Sequence, residues 1–360
     1  SQNLVPFSED FGQWIDNGGG SASKAVTITD PFGGNNAWAV KGDTTNAWGG
    51  KYAFINGMTT GTQYTVSVYL KKGTSTLSKF GIYDNNTSPN TINLDVAWSA
   101  SGVPTNNTAT TSALANNIKI EAVGTDGWYR CSFNAAALNV DGAQTFVIEP
   151  DRNASSDGTV YAYGAMLEET QYESTGTELV TNGDFSTSDS SANGIVDWLT
   201  ASGAGIPDDG TGTSLVNGKL RFDNSMATGT SSDFLQIFQR VDVVAGRKYS
   251  FSGDFDILGG TISGGGVNAV LLENASPFAS RVNFGPVTAD GTVTGDHIAT
   301  ITETVRMRLD RKYVNGGTDN DVVADIDNIS LVEYSPKVSV YSQAPVVVST
   351  HHSTDAVTLG

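Results

Sequence analysis

The chain has 360 residues, 41 of them Gly, with charged side chains held to 16% and 20 Lys+Arg set against 38 Asp+Glu. That length supplies two domains of ordinary size, and a net charge of −18 repels a phosphate backbone or an anionic bilayer, which argues against nucleic acid and membrane partners. Residues 1–176 carry 9 basic and 16 acidic groups and residues 177–360 carry 11 and 22, so neither half hides a basic module.

In chain order, Leu4-Val5-Pro6-Phe7, Phe11 and Trp14 open the first half. Tyr64, Val66, Val68 and Leu70 then alternate with Thr65, Ser67, Tyr69 and Lys71, a period of two that predicts a strand with one core face and one wet face. No amphipathic helix longer than about two turns is expected, Ser112–Asn117 being the only tempting stretch. Cys131, the lone cysteine, shares the period of Tyr129 and Phe133. A buried thiol behaving as a small apolar residue is expected there, with no intrachain disulfide. Tyr161–Glu168 closes the half as an apolar strand, and Glu169–Thr177, polar apart from Tyr172, reads as a short linker.

The pattern then begins again. Leu179-Val180-Thr181-Asn182-Gly183-Asp184-Phe185 and Trp198 answer Leu4 to Trp14, and Gly246-Arg247-Lys248-Tyr249 answers Gly61-Thr62-Gln63-Tyr64. Leu235, Ile237, Gln239, Val241 and Val243 alternate with polar neighbours, as do Val305, Met307 and Leu309 with Arg306, Arg308 and Asp310. A closing strand, Ile326–Glu333, matches Tyr161–Glu168. Duplication of a whole domain accounts for this. The fold expected is all-β, two tandem antiparallel sandwiches over residues 1–173 and 177–334 with an extended arm at 335–360. In the arm, Lys337–Ser342 alternates like a strand and Pro345-Val346-Val347-Val348 is apolar, which predicts pairing with a neighbouring chain and hence a homo-oligomer; folding back along its own sandwich and a link into further sequence are the alternatives.

Glu178-Leu179-Val180-Thr181-Asn182-Gly183-Asp184-Phe185, Trp198 and Ala324-Asp325-Ile326-Asp327-Asn328-Ile329-Ser330-Leu331 resemble the start and end of carbohydrate-binding modules of the family 4/9/22 type. Trp128-Tyr129-Arg130 and Tyr163-Gly164-Ala165-Met166-Leu167-Glu168-Glu169 resemble strand ends of jelly-roll modules in bacteriophage tail and fibre proteins. The resemblance implies tandem jelly rolls on the surface of a virion, as a tail, fibre or adhesin component, with other virion proteins and a cell-surface polysaccharide as partners. It leaves open the binding portion of a secreted polysaccharide-degrading enzyme, or a capsid-decorating protein with no ligand. It also implies a structural calcium in the second module, held by Asp327 with backbone oxygens of the N-terminal strand, since oxygen ligands suit that hard ion. Simple alternation puts Asp325 and Asp327 on the core face with Ile329 and Leu331, where a carboxylate needs a cation or several donors. A salt bridge to an Arg and exposure at the strand end are the alternatives. The first half, with Ala165 and Met166 at this place, is expected to lack the ion.

Sugar-binding modules stack aromatic rings on the apolar face of a pyranose. Trp48, Tyr69, Tyr83 and Trp98 are the candidates in the first half, and Phe234, Phe238 and Phe278 are weaker ones in the second. Packing is the competing role for each. Catalysis has little support: His297, His351 and His352 are the only histidines and show no zinc spacing, and no nucleophile elbow or P-loop is present. Carboxylate pairs such as Asp208-Asp209 and Asp254/Asp256 are expected by chance among 38 acids, so a non-enzyme is expected.

Overall fold

A computed structural model of the chain describes residues 2–85, 91–135, 142–151, 157–189, 194–199, 213–223, 234–259, 266–312 and 323–337. The arm beyond Lys337, with its two histidines, and the Asp208-Asp209 pair lie outside these residues. Among them the one helical turn is a 3-10 turn at Phe11–Gln13, capped by Asp10.

The first half builds β1 (Ile15–Asn17), β2 (Ser21–Lys24), β3 (Trp38–Lys41), β4 (Gly50–Ile55), β5 (Tyr64–Lys72), β6 (Leu77–Asp84), β7 (Thr91–Trp98), β8 (Pro104–Asn106), β9 (Ala115–Val123), β10 (Trp128–Ala135), β11 (Gln144–Glu149) and β12 (Thr159–Glu169). The second builds β13 (Tyr172–Glu178), β14 (Ser188–Asp189), β15 (Gly194–Ile195), β16 (Thr213–Val216), β17 (Lys219–Asp223), β18 (Phe234–Val243), β19 (Lys248–Gly259), β20 (Val267–Glu273), β21 (Ser280–Asn283), β22 (Gly291–Ile298), β23 (Glu303–Lys312) and β24 (Val323–Pro336). The first half forms two sheets, ordered β1-β4-β11-β6-β7-β8 and β2-β3-β12-β5-β10-β9. The second forms β16-β17-β24-β19-β22 and β18-β23-β20-β21. With β1, β2, β8 and β9 set aside in the first half and β13 to β16 in the second, eight strands remain in each. The first, eighth, third and sixth make one sheet and the second, seventh, fourth and fifth the other. That is jelly-roll order, reached independently by both halves. Between the sheets lie two separate cores, one around Val66, Val68, Phe80, Phe133 and Phe146, the other around Phe222, Tyr249, Phe251, Met307 and Leu309.

The duplication extends to individual hydrogen bonds. Leu4 N donates to Leu167 O at 2.7 Å and Leu179 N to Leu331 O at 3.0 Å; Ala165 N donates to Ser8 O and Ile329 N to Gly183 O. The side chains of Asn3 and Glu178 do one job: Asn3 Oδ1 accepts from Val5 N and Leu167 N, and Glu178 Oε1 from Val180 N and Leu331 N. Trp14 Nε1 donates to Phe7 O and Trp198 Nε1 to Asn182 O. Each N-terminal segment is thereby tied to its own module's last strand and capped by a buried tryptophan.

The last strands share a bulge that overturns the alternation expected for Asp325 and Asp327. In β12 the register slips between Tyr163 and Met166, with Gly164 at φ 59. In β24 it slips where Ser252 and Asp254 of β19 oppose Ser330 and Asp327, with Asn328 at φ 51. Two residues stand against one, so the side-chain faces invert across the bulge. Ala324 and Ile326 face the core before it and Ile329 and Leu331 after it. Asp325 and Asp327 therefore point outward, and the structural counterpart of Asp327 is Tyr163, not Ala165 or Met166.

As expected, Ser112–Asn117 forms no helix: Ser112 closes a turn by accepting from Leu114 N, and β9 begins at Ala115. Two other expectations change. The outer face of β5 is not wet, for Thr65, Ser67 and Tyr69 are all buried. The polar stretch after Glu169 is no tether, because β13 pairs with β24 from Tyr172↔Pro336 onward, and the Tyr172 phenol donates to Gln63. Cys131 does lie fully buried, and burial pushes its thiol up to about 12.

The bulge predicts a pair of matched substitutions. An αL residue with a Cβ costs roughly 1–2 kcal/mol, less for Asn than for other side chains. Gly164→Ala and Asn328→Ala should each destabilise the full chain by about 1 kcal/mol, read by calorimetry, whereas Asn328→Gly should cost clearly less than Asn328→Ala.

Candidate functional site

With Phe80, Ile82, Ile92, Leu94, Phe146 and Ile148 turned into the core, the intervening residues of β4, β11, β6 and β7 face outward in rows. Phe54, Thr145, Tyr83 and Thr91 form one row, and Tyr52, Val147, Gly81 and Asn93 the next. Glu149, Lys79 and Asp95 form the third. A cleft of about 520 Å³ runs over them, lined by Trp48, Tyr52, Phe54 and Tyr83 among others, within the size range of small-molecule sites. Trp48 and Phe54 are about half exposed, at 54% and 48%, and Tyr52 packs edge-on against Phe54 with centroids 5.6 Å apart. Trp48 precedes β4 and is held there by Asn17 Nδ2, which donates to its carbonyl at 2.9 Å, while Gly18 gives its indole room.

One end of the cleft holds an ion pair. Lys79 Nζ and Glu149 Oε2 pair at 3.0 Å with both side chains more than nine-tenths buried. Flat apolar rings beside fixed hydrogen-bonding groups suit a ligand with apolar faces and a hydroxylated rim.

Of the four aromatic residues read from the sequence, the fold brings Trp48 and Tyr83 together in this cleft and withdraws the other two. Tyr69 is 3% exposed, because the 25–37 segment crosses the outer face of β5 and packs Phe32 against it at 5.4 Å, beside Trp128 and Tyr163. Asp30 folds that segment by accepting from the backbone N–H groups of Phe32, Gly34 and Asn36. Trp98 shares the parity of Leu94 and Val96, joins the core and donates to Ser78 Oγ at 3.0 Å. Tyr52 and Phe54 were missed, though the sequence carries the signal: they alternate with Ala53 and Ile55, which are buried.

In the second module Asp325 is bound by Arg221, with Nε to Oδ1 at 2.6 Å and Nη2 to Oδ2 at 2.8 Å. Asp327 accepts from Asn328 N, Asp256 pairs with Lys219 at 2.6 Å, and Asp254 accepts from Thr292 and Asn328. Among the described residues no group of three or more His, Cys, Asp or Glu is placed to hold a metal ion. Both oxygens of Asp325 are taken by the Arg221 guanidinium and do not fit a calcium ion, which leaves Asp327 as the carboxylate on which the expected site rests. Phe278 is 41% exposed and Phe238 is buried, while the side chain of Phe234 lies outside the described residues.

No family model matches the chain and no curated protein matches it. Among solved structures it is similar to the tandem CBM22-1-CBM22-2 domain of Xyn10C from Paenibacillus barcinonensis, at 12% identity over 92% of this chain and 97% of that one, with a TM-score of 0.31. A CBM4 structure is 14% identical over 34% of this chain and 87% of that one, with a TM-score of 0.27. The enzymatically active domain of tailspike protein 4 from bacteriophage CBA120 is 12% identical over 46% of this chain and 21% of that one, also at 0.27. The jelly-roll assignment rests on strand order, not on these likenesses.

The Asp325 contact predicts that Arg221→Ala, which leaves a mostly buried carboxylate without its partner, destabilises the second module by about 2 kcal/mol in thermal or denaturant unfolding. A chelator tests the ion expected at Asp327: a fall in the melting temperature that added calcium reverses would assign that carboxylate to an ion, and no shift would count against it.

Proposed function

We propose that the chain is a non-catalytic glycan-binding protein whose first module holds a saccharide in the Trp48–Tyr83 cleft. The observation that carries this reading is the convergence of four aromatic side chains, from β4, β6 and the segment before β4, on one open cleft of ligand size. Glycoside hydrolysis uses two carboxylates across the scissile bond, and among the described lining residues Glu149 is the only acid, already paired with Lys79.

The setting that belongs with this reading is the exterior of a bacteriophage particle, supported by the Tyr163–Glu169 phrase and its likeness to tail and fibre modules. The other setting, a binding portion of a secreted polysaccharide-degrading enzyme, is favoured by nothing in the cleft that the first lacks. Labelling purified particles with an antibody against this chain separates the two: absence from the particle removes the virion setting and leaves the cleft untouched.

The cleft itself is tested by retention of the full chain on immobilised neutral polysaccharides such as xylan and mixed-linkage glucan. Trp48→Ala and Tyr83→Ala should each weaken retention about tenfold, since an aromatic–sugar contact is worth on the order of 1–2 kcal/mol, with melting unchanged for the exposed Trp48. Tyr69→Ala and Trp98→Ala should do the opposite, lowering stability by about 3 kcal/mol as buried aromatics. Retention that survives Trp48→Ala and Tyr83→Ala together would remove the cleft from the function.

A further inference from the structure

The jelly-roll order makes β18, β23 and β20 of the second module the counterparts of β4, β11 and β6 in the first. The outer face of these strands therefore takes the place of the aromatic cleft, yet its chemistry is different. With Ile237, Val241, Val305, Met307 and Leu309 in the core, Phe238, Arg240, Arg306 and Arg308 point outward. Arg240 and Arg306 are direct cross-strand partners, and so are Phe238 and Arg308.

Like charges placed directly opposite each other across a ladder are destabilising, and this pair is held in place by neutral groups. The Arg306 guanidinium lies 4.3 Å from the Phe238 ring centre and 4.6 Å from that of Phe278, and the Arg240 guanidinium lies 5.5 Å from Phe238. Asn274, just beyond β20, accepts from Nε of both arginines at 3.2 Å through its side-chain oxygen. Its backbone oxygen accepts from Arg306 Nη2 at 3.3 Å. Arg308 is balanced by Asp310 at 2.7 Å, whereas among the described residues neither Arg240 nor Arg306 meets a carboxylate. Burial, followed by the fields of Arg240 and Arg308, lowers the pKa of Arg306. In a chain of net charge −18, two adjacent positive charges thus have no counter-charge among the described residues, and the terminal nitrogens of Arg240 take no part in the contact with Asn274. Phe278, 41% exposed and held at φ 56, places a flat apolar ring over the Arg306 guanidinium.

The geometry points to a binding site for the anionic group of an acidic saccharide, a uronate carboxylate or a sulfate ester, engaged by Arg240 and Arg306 with the sugar ring against Phe278. Guanidinium N–H groups match such oxyanions in planar, two-point fashion, and the incoming charge relieves the repulsion between the two arginines. The choice of a saccharide rests on the glycan-binding reading above. The anion site rests on the arginine pair alone.

Calorimetric titration of the full chain at low ionic strength tests this with four probes: tetragalacturonate, its methyl ester, a sulfated heparin tetrasaccharide and a poly-glutamate peptide. At least one acidic saccharide should bind, added salt should weaken it, and if it is the uronate, the ester should bind at least about tenfold more weakly. Arg240→Gln and Arg306→Gln should each cost about tenfold, with Arg306→Lys as the control that keeps the charge and melting curves confirming the fold. Trp48→Ala should leave this binding unchanged. Binding by neither acidic saccharide, uronate binding that its ester equals, insensitivity to both Gln substitutions in folded protein, or preference for the peptide would each overturn the assignment. Neutral-glycan retention lost with Trp48→Ala but no acidic binding would defeat this site alone; acidic binding without neutral retention would defeat the first-module cleft alone.

Discussion

A β-strand shows its side chains to two faces in strict turn, so when the space between two sheets is filled with apolar residues, every other residue is committed to the outside. The rest of this protein depends on that constraint. Phe80, Phe146 and Ile148 in the first module, and Met307, Leu309 and Ile237 in the second, fix the registers of their strands by being buried. Tyr52, Phe54 and Tyr83 are then aligned in rows as a consequence, and so are Arg240 and Arg306.

Each sandwich has two exteriors, and the first module closes one of them. The outer side of β5 lies under the 25–37 segment, with Phe32, Tyr69, Trp128 and Tyr163 packed together and Thr65 bonded to Thr170. The opposite exterior is left open and carries the cleft. In the second module, β13 pairs with β24 on the side of β17, beyond the point where β17 has left it. The chain therefore enters its second sandwich already paired as a strand, and Lys248 lies over the rings of Tyr334 and Tyr172 at that junction.

Duplication has kept the scaffold and released the surface. The clamp between the N-terminal segment and the last strand is maintained bond for bond, even where Asn3 in one module is replaced by Glu178 in the other, because both offer an oxygen to the same two backbone N–H groups. The bulge is maintained with Gly164 in one place and Asn328 in the other, two residue types that tolerate the left-handed conformation. The equivalent outer faces share neither residues nor charge: one presents exposed rings beside an internally neutral Lys79–Glu149 pair, the other a pair of arginines that meet no carboxylate among the described residues. Two modules of one fold can in this way offer two chemistries side by side.

The sequence alone determined the all-β class, the repeat and most core positions, because period-two alternation and the recurrence of Leu4, Trp14 and Tyr64 as Leu179, Trp198 and Tyr249 are local properties of the chain. It also placed Trp48 and Tyr83 among the ligand candidates and Cys131 in the core. Tertiary structure decided the rest, for reasons that local pattern does not contain. Tyr69 sits on an outward face by alternation, but it is the distant 25–37 segment that covers it. Asp325 and Asp327 seemed inward until a one-residue bulge at Asn328 inverted the faces, since a single insertion shifts every side chain beyond it. Tyr52 and Phe54 become a site only beside Tyr83, and the Arg240–Arg306 pair becomes a charge problem only once β18 lies against β23, because both depend on pairings between strands far apart in sequence.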